Sequence, residues 1–300
     1  RYNRKARAAM LVLNKAKSVG AKLSLAGPIL TNLLNPELPA IAEFTSNEVM
    51  GSSGDRLAAA FKVSRTEQDQ FALRSHTLAD KAFNDGKLTD IVPTFVHGNK
   101  EPVKKDNGVQ VSSLEKLASL KPAFIRPHGS ITAGNSSFLT DGGSACLMMT
   151  EDYAKKNGYK PRAYLRDYIY VAQDPWDQML LGPAYAIPRL LSKHGLKLTD
   201  IDVFEIHEAF AGQLLANFNA MDSDFFCQNF VGLPGKFGRM DVEKVNRWGG
   251  AVSIGHPFGA TGVRLVTHAV NRLHDEGGKL ACVAACAAGG VGHAMLIEKY

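Results

Sequence analysis

Three residues stand out as chemistry-bearing by type and place: His207, His256 and Cys286. Each falls where an apolar, strand-like run ends, which is where α/β sheets expose functional side chains. His207 directly follows the run 201–206 (IDVFEI) and opens the next helical pattern, with Glu208 beside it to favour a helix N-terminus. Taken alone, His207 reads first as a helix cap. His256 lies in GGAVSIGHPFGATG, residues 249–262. There Pro257 disfavours helical backbone at the histidine, and five glycines let the backbone approach a ligand. The run opens a helix, so its free N–H groups can accept an anion or polarise a carbonyl. It has neither the G-K-[ST] end of a Walker loop nor G-x-G-x-x-G spacing. Cys286 follows the run 279–285 (KLACVAA) and precedes AAGGVG. A turn there would expose backbone N–H groups and, with a histidine near, lower the thiol pKa. Taken alone, however, Cys286 reads first as an inert buried thiol, the role also expected of Cys282 inside the same strand. Two histidines and a cysteine converging on one pocket suit acyl transfer, or proton abstraction beside a thioester carbonyl.

The elements that must position them follow from periodicity and punctuation. Ser64-x-x-Glu67 is a capping box ahead of a helical pattern through Phe71, Leu78 and Phe83, ended by Asn84-Asp85-Gly86. Residues 98–122 are polar and Gly/Pro-punctuated, a loop excursion. The stretch 130–149 predicts a buried strand, a turn and a second strand at Ala145–Met149. Residues 155–161 form the best linker candidate. Beyond it come a strand at 164–172, a helix at 183–194 closed by Gly195, the strand 201–206, a helix at 208–221, a helix at 262–276 and strands at 279–285 and 293–299. Strands alternating with helices predict a layered α/β fold. ACLMMTE at 145–151 echoes AMLIE at 294–298, which suggests a duplicated fold.

Composition bounds the rest. With 300 residues, 45% hydrophobic and 21% charged, the chain is globular, not disordered or fibrous. All of the net charge of +6 sits at the front: residues 1–36 hold seven basic side chains and no acidic one, and the remainder sums to −1. A basic balance so placed is a poor argument for nucleic-acid binding. Ala6, Ala9, Met10, Leu13 and Ala16 share one helical face, with Arg1, Arg4, Lys5, Arg7 and Lys15 mostly opposite. Such a helix is either docked with a solvated basic face or turned to an anion or membrane surface. The four cysteines lack C-x2-C spacing, so neither a disulfide framework nor a zinc ribbon is indicated, and a reducing compartment is the default. The long uncharged run 280–297 is broken by glycines and reads as two strands around a turn rather than a membrane span.

On these motifs the sequence resembles the thiolase family. NRWGGAVSIGHPFGATG at 246–262 resembles its G-H-P signature over the whole length, CAAGGVG at 286–292 its C-terminal cysteine signature, and HEAF at 207–210 its N-E-A-F motif. TAGNSS at 132–137 and TEQDQFALRSH at 66–76 are also similar to thiolase segments. Within the family, the H-E-A-F variant and the basic front are most similar to the β-subunits of mitochondrial fatty-acid β-oxidation complexes. The resemblance implies an α/β fold of two similar layered halves with a loop excursion, the first half truncated. Its domains would be 1–152, with the excursion within about 1–128, and 153–300. It implies cleavage of 3-ketoacyl-CoA by CoA into acetyl-CoA and a shortened acyl-CoA, with CoA as substrate and no further cofactor or metal. Implied partners are CoA thioesters, a second copy in a homodimer, an α-subunit with hydratase and dehydrogenase activity, and the inner-membrane surface of the mitochondrial matrix; nucleic acid is not among them.

By motif, His256 would activate the nucleophilic cysteine and help hold the thioester oxygen. Cys286 would move a proton at the α-carbon of the acetyl group, and His207 would complete an oxyanion hole through a water. Ser137 would lie against the CoA arm, with Gly255 and Gly289 also lining the substrate. Three departures matter. His207 stands where most of the family has Asn. Val291 stands where a polar residue is common. The family's acyl-accepting C-x-S motif is absent, and neither Cys146 nor Cys227 looks like its substitute. The expectation is therefore a chain that begins after the nucleophile segment and is inactive alone. The alternatives are a non-catalytic thiolase-like protein that binds acyl-CoA or a subunit, and, more weakly, a basic RNA- or membrane-surface module.

Overall fold

Asn3 starts the first helix, its side-chain oxygen accepting the Lys5 N–H at 2.9 Å. The computed structural model describes residues 3–33, 42–98 and 100–300, in two units, 1–42 and 43–300. In the first unit, α1 (Arg4–Leu13) and α2 (Val19–Leu33) pack on each other as a hairpin. Ala6 and Ala9 are buried as their helical spacing predicts. The helix stops at Leu13, so Ala16 does not extend that face. Leu11, Val12, Val19, Leu23 and Leu30 are exposed in this unit.

In the second unit, α3 (Met50–Ala60) precedes α4 (Arg65–Asn84). The capping box of α4 is formed as its sequence predicts: Ser64 Oγ accepts the Glu67 N–H at 3.2 Å, and Glu67 Oε2 accepts the Ser64 N–H at 2.7 Å. The excursion after α4 is loop, interrupted by the short α5 (Leu114–Ala118). α6 (Glu151–Lys156) takes up the first residues of the linker candidate.

The remainder is a layered α/β arrangement. β1 (Ala163–Ala172), β2 (Val203–Ile206), β3 (Leu280–Ala287) and β4 (Val291–Lys299) form one sheet in the order β1-β4-β3-β2. β2 and β3 are parallel and the other pairs antiparallel. Between the strands run α7 (Gly182–Lys193), α8 (Ala211–Met221), the single turns α9 (Asp224–Phe226) and α10 (Ala251–Ile254), and α11 (Thr261–Asp275). α7 packs across β1, β4 and β3, and α8 packs on α7. Leu190, Leu191 and Leu214 meet Phe204, Ile206 and Leu296 there. On the opposite face, Leu265, Ala269 and Leu273 of α11 meet Val203, Ala281, Val283 and Ile297. Covered on both faces, β2 has four buried residues in a row rather than an alternating pattern. Truncating a fully buried leucine such as Leu191 to Ala would cost about 2–5 kcal/mol.

Three expectations are corrected. Residues 145–149 form no strand: among the described residues no ladder pairs with them, and Cys146, Leu147 and Met148 are exposed. An apolar run becomes a strand only where a neighbour completes its backbone hydrogen bonds. Of the two echoing segments, only 294–298 does so. The helix after His207 starts at Ala211, three residues later than its pattern implied. β3 runs through Ala287 and β4 starts at Val291, so the turn is only 288–290, with Gly289 at φ +88° and Gly290 at φ +67°.

Candidate active site

His207 occupies the C-terminal edge of β2. Its N–H donates to Ala284 O at 2.9 Å, carrying the parallel β2–β3 pairing one residue past the strand. The backbone that carries the ring is thereby held to the sheet. His256 reaches the same place from the glycine-rich run. Gly255 before it adopts φ +90°, where a Cβ would stand 1.9 Å from Thr140 Oγ1, so both conformation and space demand glycine. The His256 N–H donates to Thr140 Oγ1 at 3.2 Å and Phe138 O at 3.3 Å. Its Nδ1 lies 2.6 Å from Thr261 Oγ1, in the first turn of α11. The two imidazoles meet with centroids 4.1 Å apart, and Phe258 packs edge-on to His256 at 5.0 Å.

Burial, before any neighbouring charge, favours the neutral form of both rings. Burial pushes His256 down to about 4, with the Arg264 guanidinium adding to the effect. His207, 3% exposed, is pushed well below its ordinary value by burial, then by His256 and Arg264. A neutral imidazole offers one acceptor and one donor, the form needed to take a proton or to face a developing oxyanion.

Cys286 takes the buried environment that its segment alone favoured, not the exposed strand end of a lowered thiol. It lies inside β3, registered with Gly292, and is 8% exposed in the apolar core against α7. A Cβ on Gly182 would stand 3.2 Å from Cys286 Cβ. Because the chain does not turn at this residue, burial dominates and the thiol is pushed up to about 12, not lowered. Among the described residues no hydrogen bond joins it to the histidine pair. Cys282, fully buried and likewise pushed up to about 12, is the inert core thiol expected.

Ser137 is tied to the His207 loop, its N–H donating to Ala209 O at 2.9 Å. Gly289 lies on the open side of the β3–β4 turn, with no atom near where its Cβ would be. A largely apolar cavity of about 420 Å³, lined by Leu73, His76, Leu117, Leu120, Phe138 and Val252, adjoins the backbone that holds His256. Among the described residues no group of three His, Cys, Asp or Glu side chains is arranged to hold a metal ion.

Sequence reasoning gave Glu208 only a helix-terminus role and missed the other residues behind the pair: Ser75, Asn246, Thr261 and Arg264. The available signal was Glu208 itself, a charge between apolar runs that can be buried only if it finds partners.

The comparisons with known proteins bear on this geometry. Family models match over 10–152 ("Thiolase, N-terminal domain") and 159–299 ("Thiolase, C-terminal domain"). The whole chain is 66% identical to a "Probable 3-ketoacyl-CoA thiolase" of Caenorhabditis elegans, spanning 67% of that protein. It is 63% identical to the "Trifunctional enzyme subunit beta, mitochondrial" of Mus musculus, spanning 63% of it. Among solved structures, the Bacillus anthracis acetyl-CoA acetyltransferase superposes with a TM-score of 0.76 at 37% identity, over 87% of this chain and 62% of that one. Human mitochondrial 3-ketoacyl-CoA thiolase in complex with CoA gives 0.74 at 32% identity, over 87% and 61%. The chain thus spans about two thirds of the length of the proteins it matches.

Proposed function

The chain is a member of the thiolase family, and on that premise we propose that it carries the histidine pair of a 3-ketoacyl-CoA thiolase of fatty-acid β-oxidation. The observation that carries the reading is the contact of neutral His207 and His256 at the end of β2, beside a glycine-opened loop. In the proposed reaction a cysteine thiol yields its proton to His256, and its sulfur bonds to C3 of the substrate. The C2–C3 bond breaks, and its electron pair leaves on acetyl-CoA as the enolate. His207 and His256 face the developing oxyanions. Cys286 supplies the proton to C2; a thiol pushed up to about 12 keeps that proton at neutral pH, which suits an acid better than a nucleophile. The thiol of CoA then gives its proton to Cys286 and takes the acyl group from the enzyme sulfur, which leaves with the proton held on His256, giving the shortened acyl-CoA and restoring all three residues. Ser137, Gly255 and Gly289 line the thioester arm in this reading, and the adjoining apolar cavity suits an uncharged part of the substrate.

None of Cys146, Cys227 and Cys282 stands in a C-x-S motif, so these 300 residues on their own are proposed not to turn over. The proposed domains are 1–152 and 153–300, a division supported by the matched ranges. The names of the relatives support a mitochondrial location and assembly with an α-subunit. Homodimer contacts, the matrix and an inner-membrane contact through the basic front are the finer part of the same proposal.

The test is CoA-dependent cleavage of 3-ketoacyl-CoA by the natural full-length protein. The expected result is turnover that falls about 10²–10⁴-fold in His256→Gln. Binding of CoA thioesters without turnover in the full-length protein would instead mark a non-catalytic relative and overturn the reading.

A further inference from the structure

We propose that Glu208 is a positioning residue that clamps both histidine segments to helix α4, and that reaction at the His207–His256 pair depends on this clamp; the second clause rests on the thiolase reading above. The carboxylate is fully buried, and its two oxygens collect three donors from separate parts of the fold. Oε1 accepts from Asn246 Nδ2 at 2.7 Å. Oε2 accepts from Ser75 Oγ at 2.8 Å and from the Val252 N–H at 3.2 Å. Each partner is itself held. Asn246 brackets the end of β2, its Oδ1 accepting the Ile206 N–H at 2.8 Å and its Nδ2 also donating to Ile206 O at 2.8 Å. Ser75 Oγ accepts the Gly250 N–H at 3.2 Å and lies 3.0 Å from Ser253 Oγ. Gly250 presses on the clamp so closely that a Cβ there would stand 2.1 Å from Glu208 Cδ.

One peptide separates Glu208 from His207. One turn of α10 and Gly255 separate Val252 from His256. The two rings, 4.1 Å apart, therefore share a single anchor. Because all three neighbours donate, an acceptor-only carboxylate fits the site. An amide of the same size would set its NH₂ against a donor on one side or the other.

The test uses Glu208→Gln and Ser75→Ala in the natural full-length protein, with ¹³C-labelled histidine. Imidazole titrations are followed by NMR without substrate, and steady-state thiolysis is measured separately. For Glu208→Gln, the expected result is a fall in kcat of about 10–100-fold with KM within about 2-fold, since small misplacement of reacting groups costs rate more than binding. The His256 titration should move up from about 4 toward the ordinary 6.5 as the ring leaves its buried place. Ser75→Ala, which removes one bond of three, should move both readouts less and in the same directions. Folded variants with wild-type ring titrations would overturn the clamp, whatever their kcat. Should Glu208→Gln fail to fold, Ser75→Ala decides by the same readouts. Absence of thiolysis in the wild-type protein would sink the functional reading alone, while the ring titrations would still judge the clamp.

Discussion

The four cysteines of this chain separate by environment rather than by motif. Cys146 is exposed, whereas Cys227, Cys282 and Cys286 are buried. Burial pushes Cys282 and Cys286 up to about 12. At pH 7.5 such a thiol holds on the order of one thiolate in 10⁴–10⁵ molecules, and the thiolate is the form that alkylates. Brief iodoacetamide treatment of the native protein, read by peptide mass mapping, should therefore mark Cys146 first among the four and Cys286 only after unfolding. Native labelling of Cys286 as fast as Cys146 would contradict the burial described here and the acid role built on it. The same residues show what a sequence reveals. His207 and His256 were legible because strand ends and glycine runs are local patterns. The partners of Glu208 were not: Ser75, the most distant of the three, lies 133 positions away, and the pairing exists only after folding. The placing of Cys286 at a strand end was not legible, because the turn after it is three residues long and leaves the cysteine within the ladder.

At the scale of elements, the capping box of α4 and the strands β1 to β4 were readable from period and punctuation, each being flanked by local turn chemistry. Residues 145–149 carry the same apolar signal but find no ladder partner among the described residues, which is a non-local fact. The hairpin of α1 and α2 carries six described basic side chains (Arg4, Lys5, Arg7, Lys15, Lys17, Lys22) and no acidic one, alongside exposed Leu11, Val12, Val19, Leu23 and Leu30. No described helix is long and apolar enough to cross a membrane. Basic and apolar groups together suit adsorption to an anionic surface, at about 1 kcal/mol per Lys or Arg near the headgroups. The expected outcome is co-sedimentation with vesicles containing cardiolipin that weakens at least about tenfold between 50 and 200 mM salt, as screening shortens the reach of the charges. Deleting residues 1–22 should abolish it. Binding indifferent to both salt and deletion would refute the membrane-facing reading of this hairpin.

At the scale of the whole molecule, the buried histidines set how the fold answers to acid. His76, His207, His256, His268 and His293 all have depressed pKa values, with burial the leading cause in each. In the unfolded chain they would titrate near 6.5. Below that pH the unfolded state binds protons that the native state refuses, so stability falls as pH falls from about 6.5 toward the about 4 of His256. Three buried carboxylates act in the opposite sense. Glu205, Glu208 and Asp106 are pushed up by burial, so the native state takes their protons first and gains from acid. Asp167 and Glu43, held down at about 2, stay ionised in both states through most of this window and decide nothing in its upper part. Five histidines against three carboxylates, and histidines that begin to act at a higher pH, give a net loss. Thermal unfolding followed by circular dichroism should show Tm falling by about 5–10 °C between pH 7.5 and pH 5.0, a shift of the size that a few kcal/mol gives in a chain of this length. His268→Phe should flatten the profile, because it removes a fully buried imidazole that packs edge-on to Trp248 at 5.9 Å and cannot be protonated without opening the core. A Tm that holds or rises between those pH values would mean that the carboxylates, not the histidines, govern the acid limb, and that the pair at the site is less desolvated than its packing implies.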